Sequence, residues 1–449
     1  MSTHFDTLII GGGNAGFGVS SVLAEAGQSI AFVEEAEFGG TCPNRGCTPK
    51  KVLVAAAASL DAISKASAHG ISVGEPRLDW AALIDRKDDM IGFIPGAMEG
   101  LANTRGTVFK GKARFTGRNE VTVGDTVLTA TNIIIATGST PRPLPIEGAE
   151  LMITSDEVLA QRTQPDSVVF VGGGVIALEF AHIYARAGTN VTILEVAPQL
   201  LPRLDSDAVD QLRQATEALG VHVETGVRVE GVFENAGKRR LRYTNADGEA
   251  RTIVADQVIN GAGRIANVAG LDLEAAGVGF DGVRVDVHPH LQSTSNPAVW
   301  VVGDALVHTP QLSPVATHEG QLVGRNILND TREVPDYSVL PSAVYTVPSF
   351  ASVGLTEAQA RETTDTLRVA VNDMTTWFSG KSYAEKLAWS KVLIDETTDR
   401  IIGAHLIGHN ADDLIHTFAF AMAHGVTVSQ LKSTIYAYPS FSSDIKNLV

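Results

Sequence analysis

Two segments of the chain share one pattern: a short apolar strand, a glycine-rich turn, a helix, and a second strand that ends on an acidic residue. The first segment runs from residues 7–10 through Gly11-Gly12-Gly13-Asn14-Ala15-Gly16 to Glu34. Glycines allow a tight turn and the close approach of a pyrophosphate, and the acid can bind ribose hydroxyls. The pattern predicts a dinucleotide-binding unit of the Rossmann type.

The second segment repeats this order further along the chain. It runs from residues 167–171 through Gly172-Gly173-Gly174-Val175-Ile176-Ala177 to Glu195. The first glycine and the acid are equally far apart in both copies, since 34 − 11 = 23 and 195 − 172 = 23. Unrelated glycine turns would seldom share that spacing, so we predict an α/β fold with two dinucleotide-binding domains.

The two cysteines of the chain, Cys42 and Cys47, are separated by four residues. Pro43 and Gly46 supply a bend that would let the sulfurs meet, and Pro49 marks the first turn of a helix whose N-terminus favours a thiolate. A zinc site is disfavoured because no further cysteine or HxxxH pair exists. A structural disulfide is disfavoured because a long chain buries its own core. A catalytic dithiol is the favoured interpretation.

Composition narrows the function further. The net charge of −16 argues against nucleic acid or an anionic membrane as a partner. No apolar run reaches the ~20 residues that cross a bilayer, and the N-terminal residues lack the basic region of a signal peptide. A cytoplasmic protein is the expectation.

A dithiol combined with two dinucleotide units implies a relay of electrons. One nucleotide delivers hydride, the other is a bound carrier, and the dithiol passes electrons onward. A flavin connects two-electron hydride chemistry with thiol chemistry, so FAD is expected in the first unit beside the cysteines.

With these motifs assembled, the chain resembles, almost end to end, the flavoprotein disulfide reductases, which include glutathione reductase, dihydrolipoamide dehydrogenase and mercuric reductase. The resemblance implies two Rossmann-like domains, for FAD and NAD, and a C-terminal α+β dimerisation domain. The implied boundaries are 1–142 for the first part of the FAD domain, 143–264 for the NAD(P) domain, 265–335 for the second part of the FAD domain, and 336–449 for the interface domain. It also implies a homodimer.

The resemblance also implies roles for individual residues. Cys42 would be the interchange thiol that meets the acceptor, and Cys47 the charge-transfer thiol against the flavin. Lys50 and Glu179 match a lysine–glutamate pair beside the flavin, although a plain ion pair is the alternative. Glu195 looks like the NADH-using type, because a carboxylate there would repel the 2′-phosphate of NADPH.

Further positions match cofactor-binding positions of these enzymes. They are Gly11, Gly13, Gly16, Glu34, Gly40, Thr41, Lys50, Ala113, Thr137, Gly138, Asp304, Gly172, Gly174, Ala177, Glu195 and Gly263.

The C-terminus departs from the disulfide-reducing members of the group. Those enzymes end in His-Pro-Thr-x-x-Glu, which one subunit contributes to its partner's cysteines as an acid–base pair. Here Tyr438 stands at the histidine position and Ser443 at the glutamate position, and Asp444 comes one residue late. A phenol at neutral pH is a hydrogen-bond donor rather than a base. Tyr438 is therefore predicted to donate at the site, and what replaces the missing base is open.

Three functions stay in consideration. The leading one is an NADH-preferring, FAD-dependent reductase that delivers electrons at Cys42 to a small disulfide-type acceptor. The second is a reductase that acts on quinones, metal ions or oxygen at the flavin itself. A dihydrolipoamide dehydrogenase-like enzyme is kept beside it as an alternative. The third is a redox-sensing flavoprotein. A mercuric reductase with a terminal cysteine pair is excluded because there is no third cysteine.

Overall fold

The computed structural model of the chain describes residues 3–449 and divides them into two compact units. Unit 1 comprises the described residues up to Lys50, together with Asp85–Arg142 and Gly263–Tyr337. Unit 2 comprises Lys51–Ile84, Pro143–Ala262 and Ser338–Val449. The division does not test the four domain boundaries, which stay a prediction.

The strands of the described residues, in chain order, are β1 Thr3–Ile10, β2 Ile30–Glu34, β3 Thr107–Lys110, β4 Ala113–Gly117, β5 Glu120–Val123, β6 Thr126–Ile135, β7 Ser139–Pro141, β8 Ser167–Val171, β9 Asn190–Glu195, β10 His222–Thr225, β11 Arg228–Asn235, β12 Lys238–Thr244, β13 Ala250–Ala255, β14 Gln257–Asn260, β15 Arg264–Ala266, β16 Val299–Val301, β17 Ser342–Val344, β18 Ser349–Gly354, β19 Leu367–Asp373, β20 Trp389–Asp395 and β21 Arg400–Gly408. The α-helices are α1 Asn14–Glu25, α2 Thr41–Arg45, α3 Cys47–Lys65, α4 Trp80–Ile91, α5 Ile94–Arg105, α6 Ser155–Ala160, α7 Val175–Arg186, α8 Ser206–Ala218, α9 Ser313–Asn329, α10 Glu357–Thr363, α11 Phe378–Ser382, α12 Ala411–Ala423, α13 Val428–Ser433 and α14 Ile445–Leu448.

Unit 1 is built on a sheet with the strand order β3-β2-β1-β6-β5-β4, and β16 also pairs with β6. β1 lies parallel to both β2 and β6, so Ile10 is opposite Val33 on one side and Ile135 on the other. Leu8 and Ile9 are fully buried, as expected for parallel strands that are covered on both faces. The first dinucleotide unit therefore has the predicted parallel order, although β1 begins earlier than residue 7.

Unit 2 contains the second parallel sheet, in the order β10-β9-β8-β14. β8 pairs in parallel with β9 and β14, and α7 follows β8 as α1 follows β1. Phe170 and Ile193 are completely buried in its core. An antiparallel sheet, β11-β12-β13, is a separate part of the same unit.

The C-terminal part of unit 2 is an antiparallel sheet in the order β17-β18-β21-β20-β19. Ile415 and Phe418 of α12 are buried in the same apolar cluster as Val392 and Leu406 of the sheet. The sequence pattern predicts strands at residues 391–394 and 401–407, which lie within β20 and β21. It also predicts an apolar helix at residues 414–424, and α12 in fact begins at Ala411. An antiparallel sheet with a helix packed against it matches the α+β prediction for this region.

No helix among residues 3–449 combines the length and the apolar character needed to span a membrane.

Candidate active site

The two cysteines lie at consecutive helix starts. Cys42 is the second residue of α2, and Cys47 is the first residue of α3. Both are free thiols in this structure. The pKa of Cys47 is lowered to about 6, above all because the Cys42 thiol donates a hydrogen bond to it, with further help from Ser313 and Lys50. The same hydrogen bond raises the pKa of Cys42. The pair is thus polarised into a protonated Cys42 and an ionised Cys47.

The first glycine turn has backbone geometry that only glycine adopts easily. Gly11 has φ +113°, and a Cβ there would lie 2.2 Å from the Ala136 carbonyl oxygen. A Cβ at Gly16 would lie equally close, 2.2 Å, to the Gly11 carbonyl oxygen. Gly13 is the N-cap of α1 and provides no side-chain acceptor, so the first N–H groups of that helix can bind an anion.

Glu34 braces this turn. One carboxylate oxygen accepts from the Gly12 N–H at 2.7 Å, and the other accepts from the Ala36 N–H at 2.8 Å. The acid is therefore fixed at the end of β2, where the dinucleotide-binding pattern expects a ribose partner.

The cysteine segment lies directly against the glycine turn. Gly40 has φ +70°, and a Cβ there would lie 2.8 Å from the Gly13 Cα. Thr41 follows as the first residue of α2, next to Cys42. The structure thus brings two motifs of the sequence, the first glycine turn and the cysteine pair, to one place in unit 1.

Two buried polar atoms near this turn lack a partner among the described residues: Thr137 Oγ1 and Asn44 Oδ1. Thr137 follows β6 and precedes Gly138, which has φ +70°. Buried polar atoms in native proteins are normally hydrogen-bonded, so such orphans indicate a missing group. A flavin, which carries both donors and acceptors, fits this place.

Asp304 lies on the short 3-10 turn Gly303–Ala305 that follows β16. Burial raises the pKa of its carboxyl group, which the Ser139 hydroxyl contacts at 3.1 Å. Glu319 of α9, fully buried, holds the turn by accepting from the Gly303 N–H at 2.6 Å. Ala113, the remaining predicted position in unit 1, is a buried residue at the start of β4.

The second glycine turn repeats the construction in unit 2. Gly172 has φ +108°, and a Cβ there would lie 2.4 Å from the Gly261 carbonyl group. Gly174 is the N-cap of α7 without a side-chain acceptor, and Ala177 is fully buried in that helix. Gly263, which the sequence assigns to cofactor binding as well, belongs to unit 1.

Glu195 has the same contacts as its counterpart in the first unit. Its carboxylate accepts from the Gly173 N–H and, at 2.7 Å, from the Ala197 N–H. The acids at the two strand ends thus share one backbone pattern, which is the structural basis of their shared spacing.

Lys50 and Glu179 lie in different units, so their pairing stays a prediction. Lys50 is half-buried in the first turns of α3. Glu179 is buried in α7, and its Oε1 accepts from the Tyr345 N–H at 2.8 Å.

In the C-terminal segment the tyrosine side chain is exposed, whereas the carboxylate of Asp444 is hydrogen-bonded within the chain. Tyr438 is 77% exposed. The buried Ser443 donates to the Ser440 carbonyl oxygen at 2.6 Å. Asp444 accepts a hydrogen bond from Ser379, and burial raises its pKa. The side chains of Ser443 and Asp444 are thus both engaged in hydrogen bonds within the chain.

No group of three or more histidine, cysteine or carboxylate side chains within residues 3–449 is arranged to hold a metal ion.

Comparison with known proteins covers nearly the whole chain. Residues 5–320 match the family model described as pyridine nucleotide-disulphide oxidoreductase, and residues 340–449 match the dimerisation domain of the same name. A glutathione reductase from Burkholderia cepacia is 33% identical over 99% of this chain and 98% of its own. A dihydrolipoyl dehydrogenase from Cupriavidus necator is 32% identical over 98% of this chain and 96% of its own.

The chain is also similar over its whole length to a solved structure of a flavoprotein disulfide reductase. The Cu(II) complex of the HOCl-induced flavoprotein disulfide reductase RclA from Escherichia coli superposes with a TM-score of 0.89 at 26% identity, covering 99% of both chains.

Proposed function

This chain belongs to the pyridine nucleotide-disulphide oxidoreductase family, and on that basis we propose that it carries electrons from NADH through FAD to the Cys42–Cys47 pair and on to a small disulfide. Membership of the family makes it an enzyme, a flavoprotein oxidoreductase of the disulfide reductase type that uses NAD(P)H. The preference for NADH and the kind of acceptor are our proposal.

The main observation that supports the proposal is that the two thiols have different pKa values. A thiolate is the reactive form of cysteine, while a thiol with a raised pKa keeps its proton until a base takes it. With the pKa of Cys47 at about 6, this sulfur is ionised at neutral pH. Cys42 retains the proton, and we assign it the role of the interchange thiol.

The chain's residues fit FAD in unit 1. The N–H groups at the start of α1 would hold the pyrophosphate, Glu34 the ribose hydroxyls, and Asp304 the ribityl chain. Thr137, whose buried hydroxyl lacks a partner among the described residues, would meet the flavin. When bound, FAD supplies the step between hydride from a nicotinamide and electrons for a disulfide.

Glu195 supports NADH as the nucleotide. Its carboxylate is buried and fixed by two backbone N–H groups. A fixed carboxylate accepts hydrogen bonds from ribose hydroxyls and repels the 2′-phosphate of NADPH.

The exchange step uses the two sulfurs in turn. Cys42 loses its proton to solvent and attacks one sulfur of the acceptor, whose S–S bond breaks as the first thiolate leaves and takes up a proton. The Cys47 thiolate then attacks Cys42, which forms the intramolecular disulfide and releases the second thiolate, protonated from solvent. Two electrons and two protons have then passed to the acceptor.

We propose a homodimer, since residues 340–449 match a dimerisation domain. In this arrangement the C-terminal segment of one subunit lies beside the partner subunit's Cys42, and the exposed Tyr438 donates a hydrogen bond there. Because Tyr438 is not a base, acceptors with a good leaving thiol are favoured. We propose the cytoplasm as its location, because a reducing compartment suits a dithiol that cycles.

The proposal is tested with anaerobic NADH oxidation by the FAD-loaded enzyme, with lipoamide, glutathione disulfide and 5,5′-dithiobis(2-nitrobenzoate) as acceptors. Cys42→Ser should abolish turnover of every disulfide that the native enzyme reduces. Unchanged turnover in this variant would show that the dithiol is not on the path.

A second candidate is the reduction of Cu(II) or quinones at the flavin. It is favoured by the solved relative, whose structure is a Cu(II) complex, and by the absence of the usual base at Tyr438. In that case the Cys42→Ser variant would still oxidise NADH with a Cu(II) salt or a quinone, while disulfide turnover would be absent from the native enzyme.

A further inference from the structure

A serine far away in the sequence touches the redox pair. Ser313 Oγ lies 3.4 Å from Cys47 Sγ, although the two residues are 266 positions apart. Ser313 is also within hydrogen-bonding reach of Cys42, but its single hydroxyl proton can be donated to only one sulfur at a time. Since a thiolate only accepts hydrogen bonds, the hydroxyl must be the donor whenever Cys47 is ionised.

Ser313 is held in place by the packing of α9 against α1. The two helices approach so closely that a Cβ at Gly320 would lie 2.2 Å from the Ala15 carbonyl oxygen. The carbonyl oxygen of Ser313 accepts from Thr317 Oγ1 at 3.2 Å and from Asn14 Nδ2 at 3.5 Å. The first residue of α9 is thereby fixed beside the glycine turn and the cysteine helices.

We propose that the Ser313 hydroxyl donates to the Cys47 thiolate, stabilises it and thereby raises the reduction potential of the Cys42–Cys47 pair. The inference rests on the proposed function for the identity of the pair as the redox centre.

The groups that face Cys47 act at different stages. The Cys42 thiol donates to it in the reduced pair, and Lys50 contributes a positive charge. Once Cys42 forms a mixed disulfide with the acceptor, it has no proton to donate. The Ser313 hydroxyl keeps its proton in every redox state, so it supports the thiolate until Cys47 attacks.

The effect on the potential follows from the half-reaction. Reduction breaks the Cys42–Cys47 S–S bond, adds two electrons, which come from NADH in the proposed function, and places one proton on Cys42 while Cys47 is ionised. Stabilising that thiolate favours the reduced state and raises the potential.

The test compares Ser313→Ala with Ser313→Thr, which keeps a hydroxyl, in the full-length FAD-loaded protein. The reduced pair is alkylated with iodoacetamide as a function of pH, and Cys47 labelling is quantified by mass spectrometry. A hydrogen bond to a charged group is worth about one pKa unit, so below the native pKa the alanine variant should be labelled about tenfold more slowly. The threonine variant should label at close to the native rate.

The potential is measured in the same proteins by equilibration with dithiothreitol buffers and trapping of the thiols. A tenfold change in a two-electron equilibrium corresponds to ~29.6 mV. The reduction potential of the cysteine pair in Ser313→Ala should therefore be more negative than in the native protein, by up to about 30 mV above neutral pH. Ser21→Ala is the matched control, because the Ser21 hydroxyl donates to the Gly18 carbonyl of its own helix at 2.7 Å.

Native labelling and potential in Ser313→Ala would overturn the inference, and so would an equal change in Ser21→Ala. Neither measurement uses an acceptor. If Cys42→Ser kept full disulfide turnover, the proposed function would fail while the contribution of Ser313 to the thiolate could still be read from the labelling.

Discussion

Lys391 is a buried cation, and we expect that its removal destabilises the folded protein. It lies in β20 with 1% of its side chain exposed, and its Nζ is 2.9 Å from Asp205, 2.6 Å from Asp207 and 2.7 Å from Glu357. Asp205 is itself only 2% exposed. Lys391→Met would therefore leave at least one buried carboxylate without its counter-ion.

The size of the effect follows from these contacts. Removing one partner of a buried ion pair typically costs about 3–5 kcal/mol. Asp205 keeps hydrogen bonds from the backbone of Ala208 and Glu357, and Asp207 is 59% exposed and can turn to solvent. We therefore expect the lower end of the range, about 3 kcal/mol.

Thermal unfolding of the variant measures this loss. Each 1 kcal/mol shifts Tm by about 2–4 °C for 150–250 residues and by less for larger units, so the variant of this longer chain should melt about 6 °C lower or somewhat less. Lys386→Met, which removes an exposed lysine, is the matched control and should melt as the native protein does. Asp205→Asn in the Lys391→Met background should recover part of the loss. A Tm within about 2 °C of the native value would refute the reasoning.

The pH dependence of the stability difference between the native protein and Lys391→Met provides a second check. Burial raises the pKa of Asp205, but hydrogen bonds from Glu357 and Lys391 outweigh it, so the pKa is lowered overall. The pKa of Glu357 is lowered as well, chiefly by Lys391. Lowered carboxyl pKa values give stability that is present above their ordinary values and is lost as the pH falls through the folded values. The native protein should therefore be no more stable to unfolding than Lys391→Met below a pH of about 4.

The remaining predictions concern the proposed site. Alkylation of Cys47 in the reduced protein should follow a pKa of about 6, so that reactivity persists down to that pH and falls below it; a midpoint near ~8.5 would contradict the polarised pair. Asp304→Ala should weaken FAD retention at least about tenfold, as flavin release on dilution would show, because a buried hydrogen-bonding group is lost. Glu195→Ala should raise the KM for NADH by about tenfold and leave the KM for NADPH nearly unchanged, and equal changes in both would argue against its role in nucleotide choice. Tyr438→His should speed reduction of 2-hydroxyethyl disulfide, since a general base contributes about 10²–10⁴-fold, and no gain would place residue 438 away from the acceptor.

Motifs that are local in the sequence could be predicted well. Each dinucleotide unit keeps its strand, turn, helix and acid within a few dozen residues, so glycine conformation and strand burial decide its form. The structure adds that Glu34 and Glu195 both accept from the N–H of the second glycine of their turns, a contact that the equal spacing alone does not predict.

Residues that act across long sequence distances could not be found in this way. Ser313 reaches Cys47, and Glu319 holds the Gly303 turn, because α9 packs against α1. Neither residue belongs to a spacing pattern with its target. Serine at a helix start and glutamate within a helix are also common for reasons unrelated to a site.

The sequence alone determined the two nucleotide-binding units and the reactive pair, because turns, caps and a short cysteine spacing depend on neighbouring residues. Tertiary packing alone decided that the hydroxyl of Ser313 lies beside Cys47, since it comes from a helix more than half the chain away. It also decided that Asp444 is turned inward onto Ser379, because burial and hydrogen bonding are properties of the folded surface and not of residue order.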